Sequence, residues 1–482
     1  MKLKNLLQGI QILNTNMDME TEITSVAYDS RKVQPGGMFV AITGFATDGN
    51  KYIPMAMEKG AAVVVTSKQP SEDVPYVQVA SDRLALALIG CNYYGRPGES
   101  MKLIGVTGTN GKTSSTLLLK HVLEQVLGAK VGLMGTMENM IGDVSIPTER
   151  TTPESFELQA LLAQMRDAGC THAIMEVSSH AIALDRVAGL HYAVGSFTNL
   201  TEDHLDFHKD MEDYCDTKAQ LFGRCDKGVA NQDDSWFGRM CGDAKCPLLT
   251  VSAKTEAGLY AQDVELLSDG IRFTAVYGQQ RVAVRLPIPG KFTVYNALNV
   301  LGMALQLGIS LEDAAAALAT AKGVKGRVEV VPTPGKDYTV LIDYAHTPDG
   351  LENVLSSVKG FCKGRLIAVF GCGGDRDPIK RPIMGRIGAE IADIAIITSD
   401  NPRTEDPERI VQDIVAGVNE ENNYKVIVNR VEAIHHAMDI AQKHDIIVLA
   451  GKGHETYQEI CGVKHHMDER EIVAEYLEKT RN

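Results

Sequence analysis

The chain of 482 residues is 44% hydrophobic and 23% charged, the balance of a globular protein, and its length suggests about three domains. A formal charge of −14 argues against nucleic acid or an anionic membrane surface as the main partner, and no apolar run approaches the ~20 residues of a membrane span. Nine cysteines occur without a CxxC pair, so neither a zinc ribbon nor a disulfide framework is supported, and they read as small buried hydrophobes or idle thiols.

At the amino terminus Asn5, Gln8 and Gln11 interrupt the apolar run, so no signal segment is expected and the cytoplasm is the expected compartment. Residues 38–42 and 61–66 read as strands and 53–59 as a helix. Polar turns punctuate them: Asp29-Ser30-Arg31 before Gln34-Pro35-Gly36-Gly37, then Thr47-Asp48-Gly49-Asn50. Asp82-Arg83 opens a helix rich in Ala and Leu. Taken alone, each of these groups reads as a solvated loop or a helix cap. The Pro97-Gly98 turn marks a boundary and gives a first domain at 1–98.

Residues 103–106 read as a buried strand, and Leu118, Val122, Leu123, Val126 and Leu127 recur on one face of a following helix. Between them lies Gly108-Thr109-Asn110-Gly111-Lys112-Thr113-Ser114, a glycine-rich turn of the phosphate-binding kind. Glycines let consecutive backbone N–H groups turn inward on an anion, and the helix N-terminus adds the positive end of its dipole. Lys112 is expected to reach the β- and γ-phosphates of a triphosphate, and the Thr113 hydroxyl to ligate Mg2+. The strict pattern is broken, because its first glycine falls on Val106.

Three polar clusters follow: Thr151-Thr152-Pro153, then Ser178-Ser179-His180 after the strand-like 173–177, then Asp203-His204-Leu205-Asp206-Phe207-His208. In open parallel sheets ligands gather at the carboxyl ends of strands, which places Glu176 to hold Mg2+ with Thr113. The Asp/His cluster also invites a di-metal hydrolase reading, against which stand the absence of an HExxH spacing and the magnesium site a triphosphate loop already implies. Residues 271–276 and 281–286 suggest an antiparallel excursion, followed by a Pro289-Gly290 turn and a helix start. Four further apolar runs each end in a polar loop: Asp343-Tyr344-Ala345-His346, Gly371-Cys372-Gly373-Gly374-Asp375-Arg376-Asp377, Asp400-Asn401-Pro402-Arg403 and Gly451-Lys452-Gly453-His454-Glu455. Separated by helical patterns, these strands spell a doubly wound α/β domain with one rim of loops. His435-His436 and His465-His466 have no such setting and read as surface residues.

The phosphate loop with the Thr-Thr-Pro, Glu-Val-Ser-Ser-His and Asp-His-Leu-Asp-Phe-His segments resembles the Mur ligase family, ATP-dependent amide-forming enzymes of peptidoglycan assembly. The resemblance runs in order through essentially the whole chain. It implies an α/β protein of three domains: a small UDP-sugar-binding domain at 1–98, a central P-loop ATPase-like parallel-sheet domain at 99–326, and a Rossmann-like, doubly wound amino-acid-binding domain at 327–482. Gly326-Arg327-Val328-Glu329 matches the hinge before the last domain. Gly290-Lys291-Phe292-Thr293-Val294-Tyr295-Asn296 matches a Gly-x-Phe-Asn-x-x-Asn pattern, with Thr293 where an Asn is usual.

The implied activity is addition of meso-2,6-diaminopimelate to the D-glutamate side-chain carboxylate of a UDP-N-acetylmuramoyl dipeptide through an acyl phosphate, by a cytoplasmic monomer using ATP and two Mg2+. The resemblance implies that Lys218 is carbamylated and ligates metal with Thr113, Glu176 and His204; an ammonium there would repel Mg2+, whereas a carbamate is an anionic oxygen ligand. Asn296, Arg327, Asp343 and His346 are expected beside ATP. Ser30, Phe45, Ala46 and Thr47 are expected to meet the UDP-sugar, and Asn110, Thr151, Thr152, Ser178 and Arg186 its peptidyl arm; Leu184 stands where some relatives carry a glutamine. Arg376, Asp400, Asn401, Arg403, Gly451 and Glu455 are expected to bind diaminopimelate, with Asn401 adding a hydrogen bond to the far carboxylate that Arg403 grips. The rival readings are an L-lysine-adding relative, a folylpolyglutamate-synthase-like ligase and a non-enzymatic nucleotide switch.

Overall fold

The computed structural model describes residues 1–44, 47–70, 74–148, 150–267, 269–419 and 421–480. The chain forms two compact units, one of Met1–Thr250 with Gly302–Ile309 and the other of Val251–Leu301 with Ser310–Asn482. In the first unit β1 (Ile12–Thr15), β2 (Val26–Ala27), β3 (Met38–Ala41), β4 (Val63–Thr66) and β5 (Tyr76–Val79) form a sheet in the order β1-β5-β4-β3-β2. All are parallel except the edge strand β1. Met38, Val40, Val63 and Val65 enter one apolar cluster with Leu86 and Ile89, while Phe39, Ala41 and Val64 enter another with Ile53 and Ala56. With both faces covered, the strands read as continuous apolar runs rather than alternating ones.

The same unit holds β6 (Lys102–Thr107), β7 (Val131–Met134), β8 (Asn139–Ile141), β9 (Val144–Ile146), β10 (His172–Glu176), β11 (Tyr192–Phe197) and β12 (Cys225–Asn231). Their order is β12-β11-β6-β10-β7-β8-β9. From β12 to β7 the strands are parallel, and β8 and β9 add an antiparallel extension. Val106 pairs with Glu176 and Thr107 with Phe197, so three neighbouring strands end at one level and their loops gather. The helix Lys112–Leu127 buries Leu118, Leu119, Val122 and Leu123. Leu127, placed on that face by its spacing, is exposed because the helix ends there.

In the second unit the last residues of β13 (Leu248–Ser252) pair with β14 (Leu259–Leu267), which continues antiparallel through β15 (Gly270–Tyr277) and β16 (Gln280–Leu286). This is the expected antiparallel excursion, one strand longer than its sequence suggests. β17 (Glu329–Val331), β18 (Thr339–Asp343), β19 (Leu366–Phe370), β20 (Ile394–Ile397), β21 (Tyr424–Val426) and β22 (Ile446–Ala450) form a sheet in the order β17-β18-β22-β19-β20-β21. Only β17 is antiparallel. Leu341, Ala368, Phe370 and Val448 face one helix layer and Val340, Ile342, Val369 and Leu449 the other, the doubly wound arrangement expected. A hairpin of β23 (Tyr457–Ile460) and β24 (Val463–His466) docks on Arg403 by backbone bonds, Arg403 N to Glu459 O at 3.0 Å and Cys461 N to Arg403 O at 2.7 Å.

Among the described residues no helix is long and apolar enough to cross a membrane. The second unit contains an ion pair at zero exposure, Arg430 Nε to Glu469 Oε1 at 2.8 Å, with Arg430 Nη2 donating to Ala450 O at 2.8 Å where β22 ends. Removing one partner strands a buried charge and typically costs ~3–5 kcal/mol, whereas replacing both by apolar groups is close to neutral. Arg430→Met is therefore expected to lose about that much in denaturant unfolding, and Arg430→Met/Glu469→Met to recover most of it. A single variant as stable as the wild type would contradict the pair.

Candidate active site

Gly108 follows β6 at φ +144°, and a Cβ there would collide with Thr198 Oγ1. This explains the broken loop pattern: Val106 is still a buried strand residue, and the turn that needs glycine starts two residues later. Gly111, at φ +82°, precedes the helix Lys112–Leu127 with no side-chain cap, which leaves N-terminal N–H groups for an anion. The end of β11 braces the loop. Thr198 Oγ1 donates to Asn110 O (2.7 Å), Asn110 N donates to Asn199 Oδ1 (2.9 Å), and Thr109 N donates to Asn199 O (2.8 Å). Half-buried Lys112 arches back, its Nζ donating to Gly108 O at 2.9 Å and Thr109 O at 2.8 Å; Thr113 is buried and Ser114 half-buried.

Lys218 lies on the helix Met211–Ala219 and is only 1% exposed, so it is not a solvated surface lysine. Its Nζ donates at 3.0 Å to Gly108 O, the carbonyl that also accepts from Lys112, and sits 4.6 Å from the Tyr214 ring centroid. Burial, and then the Lys112 ammonium, hold its pKa well below the usual lysine range. His204 is exposed at φ +56°, with Nε2 3.4 Å from Asp203 and its ring edge-on to His180 at 4.9 Å. His208 is buried between Ser179 Oγ (2.9 Å) and Asp213 Oδ2 (3.0 Å), both ring nitrogens engaged within the protein. His180 packs on Phe207 at 4.1 Å, and burial with His204 and His208 beside it pushes its pKa down to about 4.

Glu176, 1% exposed at the end of β10, accepts from Thr136 N at 3.0 Å and Thr136 Oγ1 at 2.8 Å. Thr136 Oγ1 in turn lies 3.0 Å from Thr151 Oγ1, and Thr152 Oγ1 donates to Glu176 O at 2.7 Å. Ser178 N donates to Thr152 Oγ1 at 3.2 Å. Leu184 contributes a backbone bond, its N–H donating to His180 O at 2.9 Å. Arg186 Nη1 donates to Thr152 O at 3.3 Å, and its Nε lies 3.3 Å from Glu154 Oε2. The same Glu154 oxygen lies 3.5 Å from Arg83 Nη1. Two guanidiniums on one buried carboxylate leave an excess positive charge, the setting for an anionic ligand group. Arg83 and Glu154 are absent from the sequence-based site. The available signal is a cation in the first turn of a helix, where the dipole disfavours it.

The other first-segment residues stand apart. Ser30 is buried with Oγ 3.3 Å from Met55 Sδ, Thr47 is exposed with Oγ1 3.3 Å from Tyr52 OH, and Phe45 and Ala46 lie outside the described residues. Asp82 Oδ2 accepts from Thr43 N (3.2 Å), Thr43 Oγ1 (3.1 Å) and Ser67 Oγ (2.8 Å), so Asp82-Arg83 links Thr43 and Ser67 to the Glu154–Arg186 group.

In the second unit Asp343 pairs with Ala450, Val369 with Leu449 and Phe370 with Ile397, which brings four loops to one rim. Asp343 accepts from Val328 N and Ala345 N, both at 2.8 Å, and burial raises its pKa. Arg327 lies 5.0 Å from the Tyr344 ring centroid, with Nε buried and without a hydrogen-bond partner. His346 and His454 flank the same ring at 4.7 and 5.0 Å. Arg327, Asp343 and His346 are thus brought together. Asn296 is buried on the helix Lys291–Gln306, and Thr293 Oγ1 donates to Pro289 O at 3.0 Å.

Asp400, Asn401, Arg403, Gly451 and Glu455 also converge. A Cβ on Gly451, at φ +115°, would come 2.5 Å from Asp400 Oδ2. Arg403 takes φ +51°, an unusual backbone for a large residue, with Nη1 donating to Gly374 O at 2.7 Å and Nε 3.4 Å from Glu459 Oε2. Gly373 sits between the two arginines: a Cβ there would meet Arg403 Nη1 at 2.9 Å and Arg376 Cγ at 4.0 Å. Arg376 itself is exposed. Asn401 differs from its expected use. It is 3% exposed, its Oδ1 accepts from Lys452 Nζ (2.8 Å) and Glu459 N (2.9 Å), and its Nδ2 donates to Glu455 Oε2 (2.9 Å). The amide is consumed inside the protein because the buried Lys452 needs acceptors.

Three family models match in order: "Mur ligase family, catalytic domain" over residues 22–88, "Mur ligase middle domain" over 106–304, and "Mur ligase, glutamate ligase domain" over 326–453. The chain is 47% identical to the UDP-N-acetylmuramoyl-L-alanyl-D-glutamate--2,6-diaminopimelate ligase of Clostridium tetani, over 99% of this chain and 100% of that protein. It is also 47% identical to UDP-N-acetylmuramoyl-L-alanyl-D-glutamate--2,6-diaminopimelate ligase 1 of Clostridium acetobutylicum, with the same coverage. A solved structure of a UDP-N-acetylmuramoyl-L-alanyl-D-glutamate--2,6-diaminopimelate ligase superposes with a TM-score of 0.74 at 31% identity, covering 100% of this chain and 99% of that one. With the phosphate loop, the buried lysine and the rim of loops in place, the chain belongs to the Mur ligase family.

Proposed function

We propose that this chain is an ATP-dependent ligase that joins meso-2,6-diaminopimelate to the D-glutamate side-chain carboxylate of UDP-N-acetylmuramoyl-L-alanyl-D-glutamate. The observation that carries this reading is 47% identity, end to end, with ligases named for that reaction. A folylpolyglutamate-synthase-like ligase or a nucleotide switch would not account for likeness that includes the first segment. We read residues 1–98 as the UDP-sugar domain, 99–326 as the ATP domain and 327–482 as the amino-acid domain of a cytoplasmic monomer.

A carboxylate is a poor electrophile, so the γ-phosphoryl of ATP moves to the D-glutamyl carboxylate to give an acyl phosphate. Gly108, Thr109, Asn110, Gly111, Thr113 and Ser114 wrap the phosphates, and Lys112, held within the loop by two carbonyls, turns its ammonium onto the transferring group. Asn296, Arg327, Asp343 and His346 are the ATP-side residues of the second unit. The donor set fits magnesium: a buried carboxylate at Glu176, the Thr113 hydroxyl, His204, and Lys218 once it carries a carbamate. Two bound Mg2+ would supply neutralisation of the anions that must meet. The depressed pKa of Lys218 favours the neutral amine, the form that adds CO2 with loss of a proton to give a carbamate.

Arg186, Thr151, Thr152, Ser178 and Asn110 hold the peptidyl arm, with Ser30, Phe45, Ala46 and Thr47 at the nucleotide end. The neutral amine of the diamino acid attacks the acyl carbon, and phosphate leaves the tetrahedral adduct. Diaminopimelate differs from L-lysine by a carboxylate on its far end. Arg403, with Arg376 beside it across Gly373, offers that carboxylate a planar fork, while Gly451 and Glu455 take the ammonium. An L-lysine pocket would instead set a guanidinium against an ammonium.

Phosphate release from ATP should require the UDP-N-acetylmuramoyl dipeptide and meso-diaminopimelate together; release that ignores either one would sink the ligase reading. Breaking a partly buried charge-assisted pair predicts that Arg403→Ala lowers kcat/KM for meso-diaminopimelate by at least ~100-fold. Wild-type rates that are equal for L-lysine and meso-diaminopimelate would contradict the specificity.

A further inference from the structure

The amino-acid pocket contains a cation that nothing so far assigns a role. Lys452 lies in the loop just after β22, flanked by Gly451 and Gly453, and has no exposed surface. Its Nζ donates to Asn401 Oδ1 at 2.8 Å and to Glu455 Oε2 at 2.7 Å, and sits 5.2 Å from the Tyr457 ring centroid. An ammonium has three donors. Two are spent on side-chain acceptors and the third side is covered by an aromatic face, so Lys452 cannot itself touch a ligand.

What it does is close a triangle. Asn401 Nδ2 donates at 2.9 Å to the same Glu455 oxygen that accepts from Lys452. Asn401 can satisfy both partners in one orientation only, Oδ1 toward the ammonium and Nδ2 toward the carboxylate. That orientation also lets Oδ1 accept from Glu459 N at 2.9 Å, which ties the hairpin strand β23 to the loop after β20. Glu459 completes the chain of contacts, its carbonyl accepting from Arg403 N at 3.0 Å and its carboxylate lying 3.4 Å from Arg403 Nε. Among the described residues no hydrogen bond reaches Glu455 Oε1, which leaves that oxygen as the acceptor for an incoming ammonium.

Resting on the reading of this rim as the amino-acid site, we propose that Lys452 is the positioning residue of the pocket. Its buried ammonium aligns Glu455 for the ammonium of the diamino acid and, through Asn401 and Glu459, holds Arg403 for the carboxylate. Selection of a zwitterionic far end is then a property of one locked unit spanning three segments, not of Arg403 alone. Removing the ammonium leaves the Glu455 charge uncompensated and frees the Asn401 amide to rotate, so both recognition groups are lost together.

The test compares the wild type with Lys452→Met and Lys452→Gln in full-length protein, measuring phosphate release with each substrate varied in turn and thermal unfolding alongside. Lys452→Met is expected to raise KM for meso-diaminopimelate by about 100-fold and to narrow the preference over L-lysine, while KM for ATP and for the UDP-N-acetylmuramoyl dipeptide stays within about twofold. Lys452→Gln keeps a donor without the charge and covers the case in which the Met variant does not fold; it is expected to raise the same KM by about tenfold. An unchanged KM and unchanged preference in the folded variants, or a loss that affects all three substrates equally, overturns the proposal and leaves Lys452 a structural residue. A wild type without diaminopimelate-dependent turnover would instead refute the assigned reaction.

Discussion

The backbone carbonyl of Gly108 accepts a hydrogen bond from two lysines, Lys112 at 2.9 Å and Lys218 at 3.0 Å. Two ammoniums sharing one carbonyl oxygen, one of them buried, repel where solvent screens them poorly. The structure lowers that strain by depressing the Lys218 pKa, through burial first and Lys112 second. On the proposed reading Lys112 meets phosphate, while the depressed pKa favours Lys218 as a neutral amine. The register of the sheet makes the arrangement possible. Since Thr107 and Phe197 end level, Thr198 and Asn199 brace the loop that presents the shared carbonyl.

A second buried lysine shows the same logic with opposite components. Lys452 is buried as deeply as Lys218, yet it is surrounded by acceptors rather than by another cation. A buried lysine beside Glu455 and Asn401 organises its neighbours; a buried lysine beside Lys112 is driven to change its own chemistry. The partners of these lysines, Gly108 in one unit and Asn401 and Glu455 in the other, sit on loops that follow buried parallel strands. That rigidity lets Arg403 hold φ +51° and Gly108 hold φ +144°.

The strands with unbroken apolar runs, β3, β4, β6, β10, β19, β20 and β22, are legible in the sequence because burial on both faces leaves no polar alternation. The short strands β1, β2, β8, β9 and β21, at or next to a sheet edge, are not, since two to four residues carry no period. At the site, the phosphate loop is legible from glycine and lysine placement, although only the positive φ of Gly108 explains why its glycine is displaced from Val106. Burial is what local sequence conceals. Nothing in the local sequence around Lys218 on its helix or Lys452 after its strand shows that packing removes the water from both. Arg83 and Glu154 are 71 positions apart in sequence and meet only through the fold.

On the proposed reading Lys218 is a carbamate in the working protein, its buried neighbourhood favouring the uncharged amine that adds CO2. Carbon-13 NMR of the full-length protein equilibrated with 13C-bicarbonate tests this directly. A single protein-bound carbamate resonance is predicted, absent in Lys218→Ala and lost together with phosphoryl-transfer activity when CO2 is stripped. Full activity in CO2-free buffer with no such resonance would contradict it.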